Sequence, residues 1–216
     1  MSISGGGVSA NDGGTRGYNH YVAIATRQLT VTNTVTLAAN GKGIDTTYPA
    51  VVLLGGEGSL IIPDVEVDPA TPLSPPTWSN TASTLTVNGS GNLVLEANGA
   101  QNRVSVVAQP ISFTNSGTLT LKANEGSSNK VYIINPGSFT NTVSLSFTGG
   151  TVTMESNNSN ASQNAGGIEI SVDKLGTISP AVTLNANGGK DGGSVVIALV
   201  ARSISDRREY LRSRRS

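Results

Sequence analysis

The chain has 216 residues, enough for one domain with a sizeable core. Charged residues make up 13% and aromatic residues 4%, both low for a globular enzyme, and a formal net charge of zero argues against a field that attracts nucleic acid. The absence of Cys excludes disulfides, thiolate metal sites and cysteine nucleophiles, and no apolar run reaches membrane-spanning length.

The N-terminal residues 1–17 are rich in Gly, Ser and Asn, so the sequence predicts a flexible or strand-pairing arm. The segment Met1–Gly7 has neither the basic start nor the apolar centre of a standard signal peptide, and none is predicted. Short strands are predicted from residue 18 onward, at Tyr21–Ile24, Leu29–Val31 and Val35–Leu37. The predicted body of the fold therefore covers residues 18–200.

His20 is the only histidine of the chain. A Ser-His-Asp site would have no other base, and a zinc site would lack a second His or Cys ligand. We therefore expect His20 to be a surface or rim residue without a chemical role.

Two continuous apolar runs follow, at Val51–Leu54 and Leu60–Ile62. Runs without alternation are typical of strands that are buried on both faces. We expect the next stretch of chain, or another subunit, to cover them.

Residues 63–79 interrupt the pattern with five prolines and the only tryptophan, Trp78, which predicts a stiff, extended excursion. If this piece is a strand, Asp64, Glu66 and Asp68 share one face. They would then form a Ca²⁺ site, an acid/base pair or, as we favour, a charged edge that discourages strand pairing. Trp78 is a candidate for stacking on a sugar ring or for contacting a partner protein. An equal alternative is that its side chain packs the excursion against the solenoid.

The region 82–147 contains an internal repeat. Val87–Asn98 aligns without a gap to Phe113–Asn124 at an offset of 26 residues, and the same offset relates Leu119–Leu121 to Leu145–Phe147. Apolar residues alternate with polar ones, and the outward positions, including Ser105, are mostly Thr, Ser and Asn. An antiparallel sandwich needs no repeat in register, whereas a parallel β-solenoid does, so the repeat favours a solenoid.

One motif, an apolar residue followed by x-Leu-x-Ala-Asn, occurs four times, ending at Asn40, Asn98, Asn124 and Asn187. Stacked Asn side chains can hydrogen-bond along such a stack. The interval from Leu37 to Leu95 is interpreted as two coils plus part of the excursion. The interval from Leu121 to Leu184 is interpreted as one regular coil and one coil lengthened by a polar corner loop, Glu155–Ala165.

The C-terminal residues 201–216 differ from the rest because they are basic. Ile204, Tyr210 and Leu211 would form the apolar side of a short helix that caps the open end of the solenoid. The alternative, an arm for nucleic acid or an acidic partner, lacks a supporting basic face on the body. The candidate contact residues in this tail are Arg207, Arg208, Arg212, Arg214 and Arg215.

Three segments, Gly91–Gly99, Asn115–Asn124 and Ala186–Ile197, resemble the repeats of filamentous-haemagglutinin-type secreted β-helix proteins. The resemblance covers roughly residues 29–200, with an interruption at 44–81. It implies a right-handed parallel β-helix that serves adhesion and surface display. The short length and the basic tail depart from that family, and short β-helical pieces also occur in virion fibres and self-assembling surface filaments.

The sequence therefore predicts an all-β, single-domain parallel β-solenoid of about six to eight coils of ~26 residues, with a Pro-rich excursion and a basic C-terminal cap or arm. The expected role is non-catalytic and structural or adhesive, through strand pairing with copies of itself or with other structural subunits. The expected location is a cell surface, as an extracellular filament, or a virion.

Two alternatives belong to other functional classes. A β-helical polysaccharide lyase or hydrolase would need clustered carboxylates, for which only Asp64, Glu66 and Asp68 qualify. A carbohydrate-binding module would use Trp78 and the outward Thr and Asn side chains. No cofactor is predicted, except for Ca²⁺ if the three acids form a site.

Overall fold

A computed structural model of the chain describes twelve segments, in which every regular element is a β-strand. The described residues are 1–11, 20–40, 49–58, 60–61, 77–78, 83–99, 101–124, 129–134, 144–158, 166–172, 174–187 and 193–199. In chain order the strands are β1 (Ser2–Ile3), β2 (Gly6–Asn11), β3 (His20–Ala25), β4 (Gln28–Val31), β5 (Val35–Asn40), β6 (Pro49–Gly55), β7 (Leu60–Ile61), β8 (Thr77–Trp78), β9 (Leu85–Gly89), β10 (Leu93–Asn98), β11 (Gln101–Val107), β12 (Ile111–Phe113), β13 (Thr118–Asn124), β14 (Lys130–Ile134), β15 (Ser144–Phe147), β16 (Thr151–Asn157), β17 (Gly167–Val172), β18 (Lys174–Ile178), β19 (Ala181–Asn185) and β20 (Ser194–Leu199).

The chain winds as a parallel β-solenoid, because successive strands enter three different sheets in turn. Sheet A contains β1, β4, β9, β12, β15 and β18, sheet B contains β2, β5, β10, β13, β16 and β19, and sheet C contains β3, β6, β11, β14, β17 and β20. Within each sheet the strands lie in that order and every neighbouring pair is parallel. The predicted parallel solenoid is confirmed.

Each coil of the described part contributes one strand to each sheet, so the eighteen strands form six coils. We number them from the N-terminus: coil 1 (β1–β3), coil 2 (β4–β6), coil 3 (β9–β11), coil 4 (β12–β14), coil 5 (β15–β17) and coil 6 (β18–β20). β1 and β2 pair with β4 and β5, so the described solenoid already begins at Ser2. β7 and β8 form a separate antiparallel pair.

The core is a set of apolar columns that run through the middle of the stack. Alternate residues of β10 and β13 are buried, as the period of two predicts. Like residues lie on like residues, for example Val104 on Val131. Phe113 and Phe147 stack in the same way, with ring centroids 5.3 Å apart and planes 17° from parallel.

The predicted repeat is confirmed for one step and wrong for the next. Leu93–Asn98 pairs with Leu119–Asn124 at the predicted offset. The next step is longer: Leu119 pairs with Val152, and the coils are therefore not uniform in length. Leu145–Phe147 lies in sheet A against Ile111–Phe113. A Leu-x-Leu pattern fits any strand of the solenoid, so the pattern alone did not reveal that the corner between β14 and β15 is longer.

One other interpretation of spacing is wrong, and another is right only in the number of coils. Leu37 pairs directly with Leu95, so the interval between them is one coil that contains the whole excursion. Leu121 and Leu184 are both partners of Met154, so the interval between them is two coils, as predicted. The predicted lengths are wrong, because the two steps are 33 and 30 residues, and Glu155 to Asn157 belong to β16, not to a corner loop. The rest of the predicted loop, residues 159–165, lies outside the described residues.

The chain leaves the stack after Glu57 and re-enters it at Ser83, and these two residues are in contact. The backbone N–H and the hydroxyl of Ser83 donate hydrogen bonds to the Glu57 carbonyl, at 3.1 and 2.9 Å. The Glu57 carboxylate forms an ion pair with Arg27. Because its two ends are joined there, the insertion leaves the stacking of β6 on β11 undisturbed.

The prediction that Val51–Leu54 is buried on both faces is confirmed, since all four side chains are buried. Ser105 lies beside Leu53 in the adjacent strand and is also fully buried, so its predicted outward exposure is wrong. The side chains of the second predicted run, residues 60–62, lie outside the described residues.

Candidate assembly surfaces

One corner of the solenoid carries an Asn ladder. The ladder is Asn11, Asn40, Asn98, Asn124, Asn157 and Asn187, one in each coil. The Asn98 amide donates to Asn40 Oδ1 at 3.1 Å, and the backbone N–H of Asn157 donates to Asn124 Oδ1 at 3.1 Å. The predicted hydrogen bonding of stacked Asn residues is confirmed between coils 2 and 3, between coils 4 and 5 and between coils 5 and 6.

A second, buried set of polar groups lies just inside that corner. Asn102 Nδ2 donates to Asn129 Oδ1 at 2.8 Å, and Asn129 Nδ2 donates to the Asn157 carbonyl at 2.6 Å. The Ser156 hydroxyl donates to the Asn129 carbonyl at 2.9 Å. These bonds connect coils 3, 4 and 5. The sequence reasoning missed them, because nothing distinguishes Asn102 and Asn129 from the many exposed Asn residues.

Coil 6, the last coil of the described chain, leaves the core open to solvent. Five of its apolar side chains occupy inward positions, yet they are 37–56% exposed. These side chains are Leu175, Ile178, Val195, Ile197 and Leu199. Their partners in coil 5 are only 0–4% exposed, because coil 6 covers them. We call this surface the C-terminal end.

Coil 1 forms the opposite surface, which we call the N-terminal end. Val8 is 47% exposed although its partner in coil 2, Leu37, is fully buried. Across the described part of the chain, the exposed large apolar side chains all belong to coil 1 or coil 6: Met1, Val8, Leu175, Ile178, Val195, Val196, Ile197 and Leu199. The described residues of coils 2 to 5 contribute none.

The two ends also expose the edges of all three sheets. β18, β19 and β20 have a neighbour on one side only, as do β1, β2 and β3. Natural edge strands are usually protected by charged residues, proline or bulges. These six strands contain no proline, and Lys174 is their only Lys, Arg, Asp or Glu residue. β18 pairs with β15 through a register shift between Leu145 and Phe147, which is an irregularity of the protective kind. The other five edges are templates for further strand pairing.

The outward face of sheet B has a regular polar surface. One row in register across five strands contains Thr36, Val94, Thr120, Thr153 and Thr183. The neighbouring row alternates in charge through Glu96, Lys122 and Glu155. Each cross-strand pair of opposite charge stabilises the observed register by roughly 0.2–1 kcal/mol.

The residues singled out from sequence lie mostly away from these surfaces. Trp78 is in β8 and pairs with Leu60, so it belongs to the excursion. His20 begins β3 and is half-buried. The acids Asp64, Glu66 and Asp68 lie outside the described residues, as do Arg207, Arg208, Arg212, Arg214 and Arg215. Among the residues that are described, no group of three or more His, Cys, Asp or Glu is placed to hold a metal ion.

Comparison with protein-family models, curated proteins and solved structures finds no match to this chain. In the described segments there is also no helix with the length and apolar character needed to cross a membrane.

Proposed function

We propose that the protein is a non-catalytic structural β-solenoid whose open ends pair with other structural subunits. The product would be a filament on a cell surface or a fibre of a virion. The observation that carries this proposal is that the exposed large apolar side chains, among the described residues, belong to the two terminal coils. Five of those in coil 6 point inward, and Val196 points outward.

The energetics favour covering the C-terminal end. Full burial of a Val, Leu or Ile side chain is worth about 1.5–3 kcal/mol, so completing the burial of a half-exposed one is worth roughly 1 kcal/mol. The five open side chains of coil 6 together offer about 5 kcal/mol before the costs of association. Pairing of three edge strands adds main-chain hydrogen bonds to that gain.

The repeats themselves support a surface or virion setting. A solenoid presents a long, rigid body with polar sides, and in this one the row of Thr side chains on sheet B is an example. The resemblance to filamentous-haemagglutinin-type repeats points to adhesion or display.

The test is light scattering with negative-stain imaging over a concentration series. We expect oligomers or fibres that grow with concentration. A double variant with charge at both ends, Val8→Lys with Ile197→Lys, should remain monomeric. A matched variant with the same charge on the side of the stack, Thr120→Lys, should assemble like the wild type.

A wild-type chain that remains a monodisperse monomer, and whose sedimentation is unchanged by added cell-surface or virion fractions, would refute the proposal. Loss of assembly in Thr120→Lys but not in the double variant would show that the ends are not the assembly surface.

A further inference from the structure

We propose that the subunit that covers the C-terminal end is a second copy of this chain, docked head to tail. The N-terminal end of the second copy would continue all three sheets of the first. This inference rests on the proposed function and names the partner and the register of the contact.

Sheet C shows that the columns of one copy continue directly into the next. One column runs through Val22, Val52, Val104, Val131, Ile168 and Val195, and the column beside it runs through Ile24, Leu54, Val106, Ile133, Ile170 and Ile197. Every member is Val, Ile or Leu. Head-to-tail docking places Val195 beside the second copy's Val22 and Ile197 beside its Ile24. Val22 is already only 6% exposed and Ile24 partly buried in the single chain, so in sheet C the newly buried area is on Val195 and Ile197. The contact therefore repeats the packing that already joins one coil to the next.

The residues of sheet B predict the same register between the two docked copies. Its central column contains Val8, Leu37, Leu95, Leu121, Met154 and Leu184. Head-to-tail docking places Leu184 beside the second copy's Val8. Val8 is 47% exposed in the single chain, so the docked copy would bury it. One junction would thus cover apolar side chains of both ends.

The Asn ladder specifies this register further. The backbone N–H of Asn187 donates to Asn157 Oδ1, as the N–H of Asn157 donates to Asn124 Oδ1. Docking in the same register brings the second copy's Asn11 to the next position of the ladder, where its N–H meets Asn187 Oδ1. The ladder would cross the junction without a break.

A two-fold, tail-to-tail contact would not have these properties. It would make the edge strands antiparallel and place Asn187, which follows the end of β19, against the opposite end of the partner strand. The head-to-tail contact is heterologous, and successive copies therefore form an open filament. With six coils at about 4.8 Å each, the axial repeat is roughly 29 Å.

The experiment uses two full-length variants that block one end each, Ile197→Lys and Val8→Lys. Both side chains are about half exposed, so the charge is tolerated in the monomer, and circular dichroism checks this. The controls, Val196→Lys and Ser9→Lys, carry the same charge on the same edge strands but on their outward faces. Analytical ultracentrifugation measures the mass of each species.

We expect each blocked variant alone to remain a monomer, because it lacks one of the two surfaces of the junction. An equimolar mixture of the two should form a dimer and nothing larger, since each retains the end that the other lacks. The controls should form filaments, with a meridional reflection at about 4.7–4.8 Å in fibre diffraction.

Two outcomes would overturn the head-to-tail inference and leave the proposed function standing. Val8→Lys could dimerise alone, which would indicate a tail-to-tail contact. A wild type that remains monomeric but binds a different structural subunit would identify another partner. Assembly of a chain that ends at Leu199, but not of the full chain, would show that the tail occupies the C-terminal end, and would refute the proposed function as well. Loss of assembly in the outward controls with no effect of the blocked ends would instead refute both proposals.

Discussion

The buried amide network at the corner of coils 3 to 5 leads to a quantitative prediction for Asn129→Ala. The substitution removes one of three acceptors of the Asn102 amide, which also donates to the Gly99 and Asn124 carbonyls. It also removes the side-chain donor to the Asn157 carbonyl, and the two lost bonds are 2.8 and 2.6 Å long. Asn129 is fully buried, so water does not replace either bond. Each lost buried hydrogen bond contributes about 1 kcal/mol, and the Asn157 carbonyl, which loses its side-chain donor, adds a further ~1–3 kcal/mol. We expect the free energy of unfolding to fall by about 3 kcal/mol.

The assay is equilibrium unfolding in guanidinium chloride at low protein concentration, with Asn92→Ala as the matched control. Asn92 also makes two side-chain hydrogen bonds, to the Thr34 hydroxyl at 3.3 Å and from the Thr118 backbone N–H at 2.9 Å, but it is exposed. Because water satisfies the groups that it leaves, we expect a loss below about 1 kcal/mol. Equal losses in the two variants would refute the argument, since burial would then not determine the cost.

Two further predictions concern the core and a corner. Phe147→Ala should lower the free energy of unfolding by about 3–5 kcal/mol, because it removes one ring of the Phe113–Phe147 stack and leaves a cavity. Phe147→Leu should cost clearly less in the same guanidinium chloride unfolding assay. Gly91→Ala should cost about 1–3 kcal/mol, because its new Cβ would lie 2.1 Å from the Asn33 carbonyl oxygen. Gly7→Ala, whose Cβ would lie 3.3 Å from its nearest neighbour, serves as the control, and a larger loss there would contradict the steric argument.

The sequence alone determined the kind of element and the kind of fold. Alternation with a period of two identifies a strand because successive side chains point to opposite faces. The ungapped match of Leu93–Asn98 to Leu119–Asn124 identified the parallel stack, since coils of equal length place equal residues side by side. The Asn motif was visible for the same reason.

The partner of each strand was decided by the tertiary structure. Leu145–Phe147 matched β13 as well as β12 in sequence, and only the length of the preceding corner placed it in sheet A. Leu37 and Leu95 are neighbours because the excursion closes on itself at Glu57 and Ser83. Corner length and closure depend on contacts between distant residues, which leave no local pattern.

The candidate assembly surfaces also came only from the tertiary structure. Ile197 in coil 6 and Ile170 in coil 5 both lie in alternating or apolar runs, and the sequence predicts a buried strand for each. Ile170 is 4% exposed and Ile197 is 51% exposed, because no further coil of the described chain stacks on Ile197. Burial is a property of what lies above a residue, and in a solenoid that neighbour is about one coil away in sequence or belongs to another molecule.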